Sequence, residues 1–301
     1  MQLTKEWISG FVDGEGCFNI QKIKKKTGLP ILRHRFIVNQ DKRSVSVLYG
    51  LKQHFKCGTV HKAGGNMMAF QVSKITHLQT IIIPFFQKHT LKTLKLQSFR
   101  LFAESLANYV KDNQKSQIME KGAENNDMGK KENLDDVLKD VEKRQSETLA
   151  PPFTYNLSDG WFRGFIDAEG CFSVSLVKDY LRPQLIIGLH SKEKPLLIEL
   201  QKFLKCGSLR KIKDNAEILQ IVSSRDLERY IFPKLQTKGG AVLLQTSKRL
   251  AYQKFRKIVR LVVEKKHYTI EGLDKIKVLK NGLYKQNQEN NNVFQDIEKS
   301  C

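Results

Sequence analysis

The sequence predicts an α+β fold of two pseudo-symmetric αββαββα-type halves, each an antiparallel sheet backed by helices, joined through one helix from each half. Three observations predict it. Residues 7–18 read WISGFVDGEGCF and residues 161–172 read WFRGFIDAEGCF, identical at eight of twelve positions, and such internal duplication means one architecture built twice. Each copy is followed by a run in which apolar and polar residues alternate, the pattern of a strand with one buried face. Each copy also places two small residues four apart, Gly10 with Gly14 and Gly164 with Ala168. Residues at that spacing share a helical face and let two helices approach with backbones nearly touching.

The first element of each half is a helix of about three turns. Thr4 and Ser158 stand three residues before the tryptophans, where a side-chain oxygen caps a helix, and Gly16 and Gly170 follow the last acidic residues as stops. The first strand comes next: Phe18 and Ile20 alternate with Asn19 and Gln21, and Phe172, Val174 and Leu176 with Ser173 and Ser175. Second strands are predicted over 34–40 and 185–190, joined to the first by basic loops, and third and fourth strands flank Thr59 and Phe70, then Leu209 and Leu219. The repeat continues between them, Lys56-Cys57-Gly58 answering Lys205-Cys206-Gly207, Gln71 answering Gln220 and Pro84 answering Pro233. A closing helix carries Leu91, Thr93, Lys95, Phe99 and Phe102 in one half and Leu244, Thr246, Lys248, Tyr252 and Phe255 in the other.

The halves are read as 1–110 and 154–285. Between them, 111–150 has no aromatic residue and carries eight Lys or Arg against ten Asp or Glu, a composition that buries no core and reads as a charged flexible linker over 111–153. Within it 137–145 has the makings of a solvated helix. The Asn-rich residues 286–301 read as a poorly ordered tail.

A net charge of +21 and a pI near 9.7 concentrate polyanions at the surface, so nucleic acid is the predicted partner. No run approaches the roughly 20 apolar residues of a membrane-spanning helix, so no membrane role is expected. The N-terminus has the layout of neither a secretory signal nor a transit peptide. Of five cysteines, Cys17, Cys57, Cys171 and Cys206 form two repeat-equivalent pairs without C-x-x-C spacing. They read as small packing residues of the cores.

Glu15 and Glu169 fall in the last turn of their helices, where the negative dipole end costs a carboxylate roughly 0.3–1 kcal/mol. Two matched placements of this kind argue for a function. If the helices cross through their small residues, the glutamates arrive side by side, and hard divalent cations such as Mg²⁺ are held by such carboxylates with water and substrate phosphates. A metal there lowers the pKa of an attacking water, so no protein nucleophile is required; no Ser-His-Asp or Cys-His signature is present.

ISGFVDGEG and FRGFIDAEG resemble the LAGLIDADG motif, present twice as in the single-chain homing endonucleases. With the downstream repeats the resemblance covers roughly 4–110 and 155–270. It implies that the last acid of each motif, Glu15 and Glu169, binds catalytic metal together with the backbone carbonyls of Gly14 and Ala168, with Mg²⁺ as cofactor and Mn²⁺ as a substitute. Asp13 and Asp167 are expected to be structural. Around the scissile phosphates it implies Lys95 and Lys248 from the closing helices, and Gln40 and His190 from the second strands. Ser9 and Arg163 depart from the small residue common at their motif position, and His190 is read as replacing Gln40.

The outward strand positions Asn19, Gln21, Ser173, Ser175 and Gln184 suit base edges in the major groove of double-stranded DNA. Lys22, Lys24, Lys25, Lys26, Arg33 and Arg35, with Lys178, Arg182, Arg210, Lys211 and Lys213, are expected to hold phosphates. The expected activity is a staggered double-strand cut by a monomer at a long, pseudo-palindromic site, one strand per glutamate. By analogy with the family, the gene belongs to an intron of a mitochondrial or chloroplast genome. The alternative is an intron maturase that binds its own intron RNA; a silent DNA-binding protein is a third reading.

Overall fold

A computed structural model describes residues 2–24, 30–121, 139–141, 143–144, 155–177 and 180–297. The chain divides into two compact units, Met1–Thr154 and Tyr155–Cys301.

Unit 1 opens with α1 (Lys5–Glu15), capped by the Thr4 hydroxyl, which accepts from Trp7 N at 3.2 Å. The helix passes without a loop into β1 (Gly16–Lys24), then β2 (Pro30–Asp41), α2 (Val45–Phe55), β3 (Thr59–Gly64) and β4 (Met67–Val72). An interrupted helix, α3, has a π turn over Leu78–Ile82 between Ile75–His77 and Ile83–Lys88, and α4 (Lys95–Lys121) closes the repeat. The sheet order is β1-β2-β4-β3, every pairing antiparallel.

Unit 2 repeats this as α5 (Asp159–Glu169), β5 (Gly170–Val177), β6 (Tyr180–His190), α6 (Lys194–Leu204), β7 (Ser208–Lys213) and β8 (Ala216–Ile221). The interrupted α7 (Ser224–Asp226, Leu227–Ile231, Phe232–Leu235) and α8 (Lys248–Val263) follow, and the sheet order is β5-β6-β8-β7. Ser158 caps α5 as Thr4 caps α1, accepting from Trp161 N at 3.2 Å. The predicted αββαββα order is therefore present in both units.

Strand alternation puts Phe18, Phe36, Val38, Phe70 and Val72 at 5% exposure or less beneath the helices of unit 1, and Phe172, Val174, Leu185, Ile187, Leu219 and Ile221 likewise in unit 2. The opposite parity of each sheet carries mostly polar residues, with Ile37, Ile186 and Ile218 among them, which leaves one sheet face backed by helices and the other free. Cys57 is buried, but Cys17 and Cys171 are exposed. The expectation that all four cysteines fill the cores is corrected for this pair: they precede Phe18 and Phe172, so the pleat turns them to the free face.

Gly16 and Gly170 do stop their helices, but not through a left-handed cap. Both are extended, at φ −80° and −69°. Glycine is required there for space: a Cβ on Gly16 would meet Val12 O at 2.8 Å and overlap the Val12 side chain, and one on Gly170 would meet Ile166 O at 2.8 Å.

Two segments depart from the sequence reading: the linker, whose expected short helix is docked rather than solvated, and the tail, which is helical. The α4 helix runs to Lys121, and beyond it Lys139–Val141 and Lys143–Arg144 are helical again. Val141 is 8% exposed, Arg144 pairs with Glu104 at 2.8 and 3.1 Å, and the Gln97 amide donates to the Arg144 carbonyl. The forked arginine and the Gln97 amide thus dock this stretch on α4, with Val141 buried beside them in sequence. After α8 comes an element the repeat does not contain, α9 (Ile270–Ile297). Ile276 and Leu283 are buried in the unit 2 core, and helical backbone continues from this packed start through Ile297 because Asn and Gln extend a nucleated helix at small cost.

Candidate active site

The motif aspartates are structural pins. Asp13, 4% exposed, accepts from Lys92 N at 2.9 Å, Thr93 N at 2.9 Å and Thr93 Oγ1 at 2.7 Å. Asp167, 2% exposed, accepts from Gln245 N at 2.7 Å, Thr246 N at 3.1 Å and Thr246 Oγ1 at 2.6 Å. Each buried carboxylate thereby ties the end of its motif helix to the segment that starts the closing helix, and the threonine hydroxyl then accepts from the backbone N of Lys95 or Lys248 at 3.3 and 3.2 Å.

That anchoring sets the two lysines. Lys95 Nζ donates to Gly14 O at 2.6 Å and Val12 O at 3.1 Å, and Lys248 Nζ donates to Ala168 O at 2.5 Å and Ile166 O at 3.4 Å. The last carbonyls of a helix lack intrahelical partners, and a cation there meets the negative dipole end. Glu15 and Glu169, both half-buried, come next in the chain, so each helix end assembles a carboxylate, a main-chain carbonyl and an ammonium.

The donor set fits a hard divalent ion: carboxylate and carbonyl oxygens suit Mg²⁺, Ca²⁺ or Mn²⁺ rather than a sulfur-seeking metal. Among the described residues no group of three or more His, Cys, Asp or Glu side chains could hold a metal. An ion at either helix end therefore needs water or substrate oxygens to complete its shell, the usual habit of Mg²⁺.

The departures at Ser9 and Arg163 are tethers. Ser9 Oγ donates to His89 O at 3.1 Å, and Arg163 Nε donates to Lys234 O at 2.6 Å. Equivalent positions thus reach the end of α3 and of α7 by different chemistry.

Gln40 and His190 require a correction, because they are not equivalent. Gly16 pairs with Val38 and Gly170 with Ile187, so Leu189 answers Gln40 and Asp41 answers His190. Asp41 Oδ1 accepts from Arg43 N at 2.8 Å, and His190 Nδ1 accepts from Lys192 N at 3.1 Å. His190 is a cap of the turn that ends β6. Gln40 has the core-side parity of Phe36 and Val38, next to that turn in unit 1.

On the free face of the first sheet, Asn19 pairs with Arg35 and Gln21 with Arg33; on the second, Ser173 pairs with Gln184 and Ser175 with Arg182. Arg210, opposite Ile218, shares the outward parity of unit 2. Lys22 and Lys24 do not join Asn19 and Gln21, for their register partners Leu32 and Pro30 give them the parity of the helix-backed side. Lys211 is likewise opposite Glu217 and pairs with Asp214 at 3.3 Å. Lys25, Lys26 and Lys178, and the Lys213 side chain, lie outside the described residues. Gln71 and Gln220, recognised in the sequence only as repeat partners, also stand on the free faces, opposite Ile37 and Ile186.

These features define a class: a duplicated αββαββα protein in which an acid at the end of a capped helix leads straight into the first strand of a polar sheet face. The family model for LAGLIDADG endonucleases matches residues 8–106 and 162–259, and the chain belongs to that family. The match covers more than half of the sequence. Among curated relatives, a probable intron-encoded endonuclease 2 of Neurospora crassa is 26% identical over 93% of this chain and 65% of its own length. A probable intron-encoded endonuclease, Cox1-I1b, of Schizosaccharomyces pombe is 28% identical over 75% of this chain and 57% of its own. The chain thus spans less than two thirds of the length of these relatives. Among solved structures, the I-LtrWI LAGLIDADG homing endonuclease bound to target DNA superposes with a TM-score of 0.75 at 27% identity, covering 92% of this chain and 96% of that one. I-SmaMI bound to its uncleaved DNA target with calcium gives a TM-score of 0.76 at 24% identity over 94% and 99% of the two chains, a likeness of fold.

Proposed function

We propose that the chain is a site-specific, divalent-metal-dependent endonuclease that hydrolyses one phosphodiester in each strand of a long, pseudo-palindromic double-stranded DNA site. The observation that carries this reading is the twice-built helix end, in which a glutamate follows a carbonyl held by a lysine and precedes the first strand of a polar sheet face. Membership of the family and the relatives named as intron-encoded endonucleases support it. They also support a gene within an intron, for which an organelle genome is the proposed setting.

Glu15 and Glu169 would hold Mg²⁺, each with the carbonyl of Gly14 or Ala168. The ion, when bound, supplies charge stabilisation for the phosphoryl oxygens and a water of lowered pKa. The chain's own part is placement. Asp13 and Asp167 fix the closing helices, and Lys95 and Lys248 bring a positive charge to each helix end, where it can offset charge developing on the phosphate. The free sheet faces supply donors and acceptors to base edges, and basic residues such as Arg33, Arg182 and Arg210 supply phosphate contacts that make affinity steeply salt-dependent. No helix of the described residues is long and apolar enough to cross a membrane.

The test is cleavage of a randomised double-stranded DNA library by the purified chain with Mg²⁺, with Mn²⁺ as a second condition. Discrete staggered cuts that vanish with chelator support the reading. Tight selection of intron RNA with no DNA cut under either ion would replace it with a maturase.

A further inference from the structure

Resting on the endonuclease reading, we propose that the strand position shared by Arg35 and Gln184 is a base-reading position at which the two half-sites differ. Unit 1 reads a guanine there and unit 2 an adenine. The equivalence comes from register. Arg35 lies opposite Asn19 in the sheet where Gly16 faces Val38, and Gln184 lies opposite Ser173 in the sheet where Gly170 faces Ile187. Each is therefore three residues before the partner of the junction glycine, on the free face, in the same strand of its unit.

In unit 1 one edge of the guanidinium is fixed across the strands. Arg35 Nε and Nη2 donate to Asn19 Oδ1 at 3.2 and 2.9 Å, and Nη2 also donates to Gln21 Oε1 at 2.9 Å. These bonds use the hydrogens of Nε and Nη2 and leave the pair on Nη1. A held donor pair suits guanine, whose major-groove edge presents two adjacent acceptors, O6 and N7; adenine sets a donor amino group in place of O6.

Unit 2 has the opposite chemistry at the same place. Gln184 and Gln220 are each 9% exposed, and Gln220 Nε2 donates to Gln184 Oε1 at 2.5 Å. Gln220 Oε1 is buried without a partner among the described residues. That atom is out of a base's reach, so what the pair presents to DNA is the Gln184 carboxamide, held by Gln220 Nε2. Adenine N6 can donate to the second lone pair of Gln184 Oε1 and adenine N7 can accept from its amide N–H, whereas guanine O6 would set acceptor against acceptor. Gln71 holds the Gln220 position in unit 1, opposite Ile37 as Gln220 is opposite Ile186, so the difference lies with Arg35 and Gln184. Ser173 stands where Asn19 stands, so the carboxamide that steadies Arg35 is absent from the unit that has glutamine, not arginine, at that position.

The experiment is selection of a randomised double-stranded DNA pool with Ca²⁺ in place of Mg²⁺, using the full chain as wild type, Arg35→Gln, Gln184→Arg and Asn19→Ala. The expected wild-type site has guanine in one half and adenine at the symmetry-related pair. Arg35→Gln converts that guanine to adenine, and Gln184→Arg converts the adenine to guanine, each with a preference shift of about tenfold or more. Asn19→Ala broadens the guanine position without replacing it. If both exchange variants select the wild-type site unchanged, the assignment is wrong and the endonuclease reading stands. If the wild type selects no sequence, that reading falls and takes the assignment with it.

Discussion

The Lys95 ammonium donates to the Gly14 carbonyl at 2.6 Å, one residue before Glu15, and Lys248 makes the same contact with Ala168 at 2.5 Å. A lysine therefore satisfies the backbone oxygen that a metal at Glu15 or Glu169 would also approach, and ammonium and metal repel one another.

Lys95→Met and Lys248→Met should each lower stability by about 0.3–1 kcal/mol, the usual worth of a cation at a helix C-terminus, while Ca²⁺ binding tightens and cleavage falls. Urea unfolding and calorimetric titration with Ca²⁺ check both parts. Weaker Ca²⁺ binding in either variant would mean that the ammonium helps to build the ion site.

Glu15→Gln and Glu169→Gln should leave DNA binding within about threefold of wild type, since the amide still fills the space and the phosphate contacts that dominate affinity are elsewhere. Cleavage should fall by at least about 100-fold on the strand served by the altered unit, where stabilisation of the reacting phosphate is lost. Supercoiled plasmid carrying one site is the assay: each single variant accumulates nicked circles, and linear product at the wild-type rate would break the assignment.

Asp13→Ala removes a buried carboxylate that serves two backbone amides and one hydroxyl of the segment leading to α4. The expected loss is about 3 kcal/mol or more, because several donors are left unsatisfied together. Asp167→Ala should match it in unit 2. Denaturant midpoints measure the loss; a change under about 1 kcal/mol would show that water replaces the carboxylate.

Acid should weaken unit 1 through His34. The ring is 3% exposed, its Nε2 lies 2.9 Å from Ser105 Oγ, and burial pushes its pKa down from 6.5 to about 4. As pH falls below 6.5 the unfolded chain takes the proton first, so stability is complete above 6.5 and is lost through the window from 6.5 to 4. The loss at pH 5 is about 2 kcal/mol. His54 and His89, lowered first by burial and then by Lys5, act in the same direction. Urea titrations at pH 7.5 and 5 should differ less for His34→Gln than for wild type.

The order of elements was legible because it rests on local signals: capping residues before the tryptophans, period-two runs after the glycines, and repetition of both. Glu15, Glu169, Lys95 and Lys248 were legible for the same reason, since each occupies a matched place in both copies. Strand register was not legible. It is set by which side chains fit the core, and sequence spacing alone matched Gln40 to His190, whereas the register in each sheet makes Asp41 the counterpart of His190. Face parity at strand ends was also hidden: a lysine run reads as uniformly basic, yet alternate members point to opposite sides, which parts Lys22 and Lys24 from Asn19 and Gln21. The docking of Arg144 on Glu104 is a contact between distant residues, and no spacing announces it.

The absence of any loop at Gly16 makes the chain a ruler. Glu15 and Asn19 are separated only by a helix end and a strand, and a strand advances about 3.3 Å per residue, close to the 3.4 Å step between nucleotides of one DNA strand. In the proposed complex the number of base pairs between a recognised base and the bond to be cut is thus written into the covalent chain. Altered targets can then be reached by exchanging side chains along β1 and β2, but not by inserting or deleting a residue between Gly16 and Asn19. Such a change would move the cut relative to the reading frame and turn every outward side chain inward.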